Sequence, residues 1–445
     1  GIFKGAHTGR LEDRENSIAR GRPATDGAFS YDVDVPRQEV GHQLLKLSAK
    51  QYFENNGTLS FNYSFQQNHR QEYDLRRGGR DALAALDLKL MAQNADIVYQ
   101  GPLRNQLSSK FGLSFGSIVN NNVPGTLVTP LIPNYDNVNI GLFAIERLEK
   151  DKYSLEAGVR YDYRSLDAAG YDKDEVLYGG THRFHNLSAS LGGSYRISQH
   201  LDFLSNFSLA WRPPTVNELY SNGLHHGSAA VEIGDKHLQS EKGYNWINTL
   251  FFRAGKSSAE WSGYAQYVSD YIFLNPSGEF LESLRGSFPV FNYQQTDASF
   301  LGMDLSGSLV ISPALEWTLK GALVRAKDQT NGRFLPMIPT DRLENALRWN
   351  IKSERWKKPF VELQHIYVAR QNRYDEGSDF SAPPEAYHLL NLSAGFSHLG
   401  EGSQWSLNAT AYNLLNNSYK DYLNRFRYYG HDVGRNIVLR LAYNF

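Results

Sequence analysis

A transmembrane antiparallel β-barrel is the fold class that this sequence predicts, on three observations. Apolar and polar residues alternate with period 2 from one end of the chain to the other. The connections between the alternating segments are short and long in strict turn. Aromatic residues make up 13% of a chain whose mean hydropathy is only −0.49.

The alternation is clearest in three places. Leu59, Phe61, Tyr63 and Phe65 alternate with Ser60, Asn62, Ser64 and Gln66. Tyr153, Leu155, Ala157, Val159, Tyr161 and Tyr163 alternate with Ser154, Glu156, Gly158, Arg160, Asp162 and Arg164. Leu201, Phe203, Phe207, Leu209 and Trp211 mark a third segment. Each reads as a strand with one apolar and one polar face, and no period of 3.6 is sustained beyond a turn or two.

The connections orient these strands. Short polar joints fall near 54–57, 101–105, 150–152, 198–200, 255–257, 312–313, 352–354 and 399–402. Long ones fall between them, near 70–84, 120–137, 165–182, 212–239, 275–289, 326–340, 371–385 and 415–433. In an antiparallel meander successive connections lie at opposite ends, so all the tight turns gather at one end and all the long loops at the other. Strands of ten or more residues with that asymmetry are the pattern of an outer-membrane barrel. A soluble sandwich also alternates, but it has no reason to segregate its turns or to place aromatics at strand ends, where membrane interfaces favour them.

The count of strands is informative too. The eight tight joints imply sixteen strands, and 434–445 adds a seventeenth. An odd number does not close a bacterial barrel, and the first strand, near 42–53, runs from the long-loop end. At least one more strand is therefore expected before it. Gly1–Gly41 reads mostly as loop, with a strand remnant at Gly1–Ala6. The whole chain, 1–445, is expected to be one barrel domain.

Composition excludes several classes. No apolar run approaches the ~18 residues of a membrane helix, and 445 residues as an ordinary soluble protein would suggest roughly three domains. Lys and Arg number 46 against 47 Asp and Glu, so no basic face argues for nucleic acid. Cys is absent, which excludes thiolate metal sites and thiol nucleophiles. No phosphate-binding loop, nucleophile elbow or zinc-protease helix is visible, and an enzyme is not expected.

Four motifs carry a family resemblance. Trp211-Arg-Pro-Pro-Thr-Val-Asn-Glu-Leu-Tyr220 resembles a FRAP-like segment, with Trp for Phe and Pro for Ala. Phe291-Asn-Tyr-Gln-Gln-Thr-Asp-Ala298 with Gly302, and Leu335-Pro-Met-Ile-Pro339 with Asp341-Arg342, resemble two later segments. Tyr412-Asn-Leu-Leu-Asn-Asn-Ser-Tyr419, Gly434-Arg-Asn436 and an alternating last strand ending in Phe445 resemble the terminal pattern. In this order they resemble the TonB-dependent receptors of Gram-negative outer membranes, over nearly the whole chain.

The resemblance implies a barrel of about 22 strands enclosing a plug. The plug and roughly five first strands are not visible here. It further implies active import of a metal complex, an iron-siderophore or haem first and zinc next. The implied partners are the TonB-ExbB-ExbD complex, acting through the plug, and outer-membrane lipid and lipopolysaccharide. No permanent cofactor is expected. A passive porin or structural barrel is the rival class.

Candidate ligand-binding residues concentrate in the loop 213–239. His225, His226, Glu232, Asp235 and His237 fall within thirteen residues, and imidazole with carboxylate suits zinc, iron or haem. In haem receptors of the family a ligand histidine lies between the FRAP segment and a downstream Asn-Pro-Asn-Leu-like box. His225 and His226 occupy that interval and are the candidate metal ligands, although Asp235-Lys-His-Leu238 departs from the box. Spacing alone leaves solvated loop residues as the plain alternative. The last long loop adds Arg425 and Tyr428 among Tyr419, Tyr422, Arg427 and Tyr429, as ligand anchors or as an interfacial girdle. His69, Arg70, Glu72, Arg76, Arg77 and Arg80 form a further basic patch, suited to anions or to lipopolysaccharide.

Overall fold

The computed structural model describes residues 9–22, 31–76, 78–104, 106–283, 286–400 and 403–444. Among these, seventeen long strands form one antiparallel meander in chain order, as the turn pattern predicts. They are β1 (Arg37–Tyr52), β2 (Thr58–Tyr73), β3 (Leu86–Arg104), β4 (Leu107–Asn122), β5 (Asn134–Glu149), β6 (Tyr153–Tyr171), β7 (Leu177–Ser198) and β8 (Leu201–Arg212). Two short strands, β9 (Asn222–His225) and β10 (Ala230–Ile233), lie in the connection that follows. The meander resumes with β11 (Glu241–Ala254), β12 (Ser257–Ser283), β13 (Gly286–Ser312), β14 (Leu315–Asp328) and β15 (Arg342–Asn350). It ends with β16 (Lys357–Val368), β17 (Tyr387–Gly400), β18 (Ser403–Tyr412) and β19 (Asn436–Asn444). β8 pairs directly with β11, so the β9–β10 hairpin is an insertion at the long-loop end.

The two faces of the sheet differ as a bilayer requires. Leu113, Leu142, Leu191 and Leu309 are 43%, 56%, 62% and 47% exposed on the outward face. Such a continuous apolar surface is stable only against lipid. The inward face is polar: Arg160 grips Asp162 from Nε at 2.8 and 2.9 Å and donates from Nη2 to Ser114 Oγ. At the tight-turn end Trp356 packs on Phe396, ring centroids 4.2 Å apart, with Trp405 beside both. This is a girdle at the inner interface.

β1 pairs with β2, β19 pairs with β18, and among the described residues nothing joins β1 to β19. Leu44, Leu45 and Leu47 of β1 and Ile437, Leu439 and Leu441 of β19 are all more than half exposed.

Three details depart from the sequence reading. The connection near 165–182 is mostly strand, because β6 and β7 stay paired out to Tyr171 and Leu177. Within 275–289 the described residues extend β12 and β13 and pair with each other. β12 and β13 run 27 residues each, against about ten needed to cross a bilayer. Bulges between Val268 and Tyr271 and between Pro276 and Phe280 bend the pair. The N-terminal loop contains a helix, α1 (Leu11–Arg20), where Asp13 Oδ2 accepts the Arg10 N–H at 2.9 Å and Gly21, at φ +64, closes the C-terminus. Its buried residues are Arg14 and Ser17, so no apolar stripe announces it. The remnant expected at Gly1–Ala6 lies outside the described residues.

Candidate functional site

The long-loop end of the barrel is filled by its own connections, beginning with the segment after β8. Pro213 and Pro214 carry no N–H and stop the strand. Thr215 then caps a short helix, α2 (Val216–Tyr220): its N–H reaches Glu218 Oε2 at 2.7 Å, and its hydroxyl accepts from the Glu218 N–H. Arg212 ties the start of this segment to its end. Nη1 donates to both Glu218 oxygens, at 2.8 and 2.9 Å, while Nε and Nη2 take the two Glu241 oxygens at 2.8 Å each. Val216, Leu219 and Tyr220 then pack with Leu131, Leu166 and Ile272 into the main core of the mouth.

The β9–β10 hairpin follows, closed by a 3-10 turn at His226–Ser228 with Ala229 at φ +49. β10 adds in parallel to the projecting part of β13, pairing Val231–Ile233 with Val290–Asn292. That contact buries Val231 against Phe288 and Val290 and turns Glu232 inward.

Glu232 is the hub of the site. Its carboxylate, 3% exposed, meets His225 Nδ1 at 2.9 Å, Arg425 Nη1 at 3.4 Å and the Tyr293 hydroxyl at 3.3 Å. Burial opposes its charge, but the His225 ring and Arg425 outweigh this and hold the group below the ordinary carboxylate range. With Nδ1 engaged, the 30% exposed His225 ring turns Nε2 toward Gly227. A Cβ at Gly227 would lie 3.7 Å from His225 Nε2 and 3.7 Å from both oxygens of Glu72. Glu72 itself is buried and held by Arg70 and by Gln38 Nε2 at 3.2 Å.

The sequence candidates thus divide. His225, Glu232 and Arg425 come together. His226 turns away, its buried ring meeting Asp74 Oδ2 at 3.1 Å. His237 sits exposed in the turn before β11, where its backbone N–H bonds Asp235 Oδ1 at 2.8 Å. Tyr428 donates to Asp379 Oδ1 at 2.5 Å, within reach of Arg425 only through a wall of rings. In that wall Arg425 lies over Phe291, Phe291 packs on Phe380, and Phe380 packs edge-on to Tyr428. Among the described residues, no three His, Asp or Glu side chains are grouped so as to hold a metal ion.

Tyr422, Tyr428 and Tyr429 are 6%, 3% and 3% exposed inside the mouth, which removes the interfacial-girdle alternative for them. Of the basic patch, His69 binds Asp87 on the outward face at 2.7 Å, and Arg76 braces the backbone of Leu83 and Ala84. Arg77 lies outside the described residues. Sequence reasoning missed Asp74, Tyr293, Phe291, Asp379 and Phe380. Each becomes part of the site only through strand register or a loop fold far from it in the chain.

A family model described as TonB dependent receptor-like, beta-barrel matches residues 4–414. Hemoglobin-haptoglobin utilization protein B of Neisseria meningitidis is 24% identical over 279 residues, covering 55% of this chain and 34% of that protein. Heme/hemopexin utilization protein C of Haemophilus influenzae is 21% identical over 356 residues, covering 71% and 45%. This chain therefore spans between a third and a half of the curated relatives it matches. Among solved structures, the copper transporter OprC superposes with a TM-score of 0.71 at 16% identity, over 90% of this chain and 64% of that one. Seventeen meandering strands, a lipid-facing exterior and a family match across nearly its whole length lead to one conclusion: the chain belongs to the TonB-dependent receptor β-barrel family of the outer membrane.

Proposed function

We propose that the chain is the barrel part of a receptor that imports an iron complex, haem first, across the outer membrane by coupling to TonB-ExbB-ExbD, and that it carries no enzymatic activity. The carrying observation is the Glu232–His225 pair. A carboxylate on Nδ1 fixes the ring and its tautomer, leaving Nε2 as a lone-pair donor on a part-exposed ring. Haem iron takes only one or two axial ligands from protein, whereas a protein-held zinc ion takes three or four. His225 and His226 are tied to different carboxylates, which favours haem over bare zinc as the cargo. The names of the two curated relatives support the same reading.

The exposed edges of β1 and β19 support closure of the barrel by further strands. Polar groups on the outward face at the loop end, His69 with Asp87 among them, support contact with lipopolysaccharide.

The test is haemin titration of the receptor in detergent, followed by its Soret band. His225→Ala should weaken binding at least tenfold. Unchanged affinity would remove His225 from the site, and no haemin binding by the unaltered receptor would overturn the haem reading.

A further inference from the structure

Beyond the His225 arm, the mouth holds a second buried polar centre, on α1. Arg14 is 0% exposed, and its Nη1 donates to the Ser287 carbonyl of β13. The guanidinium lies over two rings, 5.3 Å from the Phe280 centroid and 4.9 Å from that of Tyr429. Its Nε and Nη2 meet no acceptor among the described residues. The neighbouring Ser287 Oγ and Tyr429 hydroxyl, at 0% and 3% exposure for their residues, meet none either.

Nε and Nη2 form one edge of the guanidinium, with two parallel N–H bonds. The same molecule shows what that edge does when an acceptor is present: Arg212 takes both oxygens of Glu241 with Nε and Nη2, at 2.8 Å each. A carboxylate fits such a fork, and burying the fork unpaired is costly. Burial pulls the Arg14 guanidinium down to about 9, partly offset by Tyr428, and it remains a cation at neutral pH.

Among the described residues, the nearby carboxylates are already engaged. Glu282 accepts the Leu11 N–H at 2.9 Å, and Asp379 serves Arg427 and Tyr428. The Arg14 centre joins the His225 arm through one ring chain, from Phe280 to Phe380 to Phe291, over which Arg425 sits.

We infer that the Nε–Nη2 edge of Arg14 is a binding site for a carboxylate of the incoming ligand. The inference rests on the import reading for the source of that carboxylate, and on the buried fork for its chemistry. A metal complex bearing carboxylates on an aromatic or planar frame would lay that frame along the rings and its carboxylate on Arg14.

The experiment separates the two readings. Binding of haemin and of its dimethyl ester is measured on the unaltered receptor, Arg14→Met and Arg14→Lys. In parallel, thermal unfolding is followed with added sodium benzoate against equal sodium chloride. Discrimination for haemin over the ester should be about tenfold or more, be lost in Arg14→Met with ester affinity unchanged, and return in part in Arg14→Lys. Benzoate should raise the unfolding temperature of the unaltered receptor and not that of Arg14→Met. If neither porphyrin binds but the benzoate effect holds, the haem cargo falls and the carboxylate site stands. If benzoate has no Arg14-dependent effect, or if Arg14→Met weakens both porphyrins equally, the inference is overturned.

Discussion

Arg212 and Arg14 sit in the same mouth and are treated in opposite ways. Arg212 stands at the end of a barrel strand, half-exposed, with all its donor groups on two carboxylates. Arg14 stands on the helix that precedes β1, fully buried, with one edge of its fork unmatched among the described residues. An arginine whose partners all belong to its own chain is part of the frame. One buried without a counter-charge costs stability at rest, and selection for stability alone would not keep it.

Substitution at the two positions should separate them more than any other change. Arg212→Met leaves Glu218 and Glu241, 13% and 12% exposed, without their cation and loosens α2. A loss of about 3 kcal/mol is expected, toward the lower end for a broken buried pair because the guanidinium itself is partly solvated. Arg14→Met removes an uncompensated buried charge and should leave the ligand-free receptor unchanged or more stable. Denaturant unfolding of the two variants reads this directly. Equal destabilisation would make Arg14 a second frame residue.

The next effect tests whether Glu232 belongs with the frame or with the ligand arm. Glu232→Ala frees the His225 ring and removes the carboxylate facing Arg425. Haemin affinity should fall about tenfold or more, as for other losses of a ligand-orienting partner. Because the folded pKa of Glu232 lies below its unfolded value of about 4.3, its stabilisation is fully present above that value. It is lost as pH falls through the lower, folded one. The Glu232→Gln receptor should therefore lose less stability than the unaltered one on acidification below about pH 4. An acid-unfolding curve that is identical for both would show that Glu232 contributes nothing to the folded state.

A smaller change concerns the frame alone. Thr215→Ala removes the hydroxyl that accepts the Glu218 N–H and should cost about 1 kcal/mol, with haemin affinity preserved. If affinity fell with stability, the α2 cap would be part of the ligand arm after all.

The same division explains what could be read in advance. The barrel strands were legible because lipid on one side and lumen on the other impose alternation residue by residue, as in Tyr153–Arg164. The tight turns were legible because short polar joints interrupt the alternation at regular intervals, as at 150–152 and 255–257. The mouth answers to no such solvent rule. The stretch 275–289 contains Pro276, Gly278 and Gly286 and reads as loop, yet β12 and β13 pair through it around a bulge. α1 has a polar buried face and was invisible to an apolar period. His225 and Glu232 could be singled out as neighbours in sequence, but Arg425, Tyr293 and Phe291 reach them by register and loop packing alone.

His237 supplies the smallest expected effect and the sharpest limit on reading spacing as chemistry. By sequence it stands with His225 and His226 in one cluster of thirteen residues. In the fold, β10 ends at Ile233, Gly234 donates back to the Ser221 carbonyl at 2.7 Å, and the chain leaves the hairpin before His237. What His237 contributes to the local turn is its backbone: its N–H on Asp235 and its carbonyl to Gln239 Nε2 at 2.9 Å. Those bonds survive removal of the ring. His237→Ala should change stability by less than about 0.5 kcal/mol and haemin affinity by less than twofold, measured beside His225→Ala. A tenfold loss at His237 would mean that the exposed turn folds inward onto the ligand, and that the three histidines act together when the mouth is occupied.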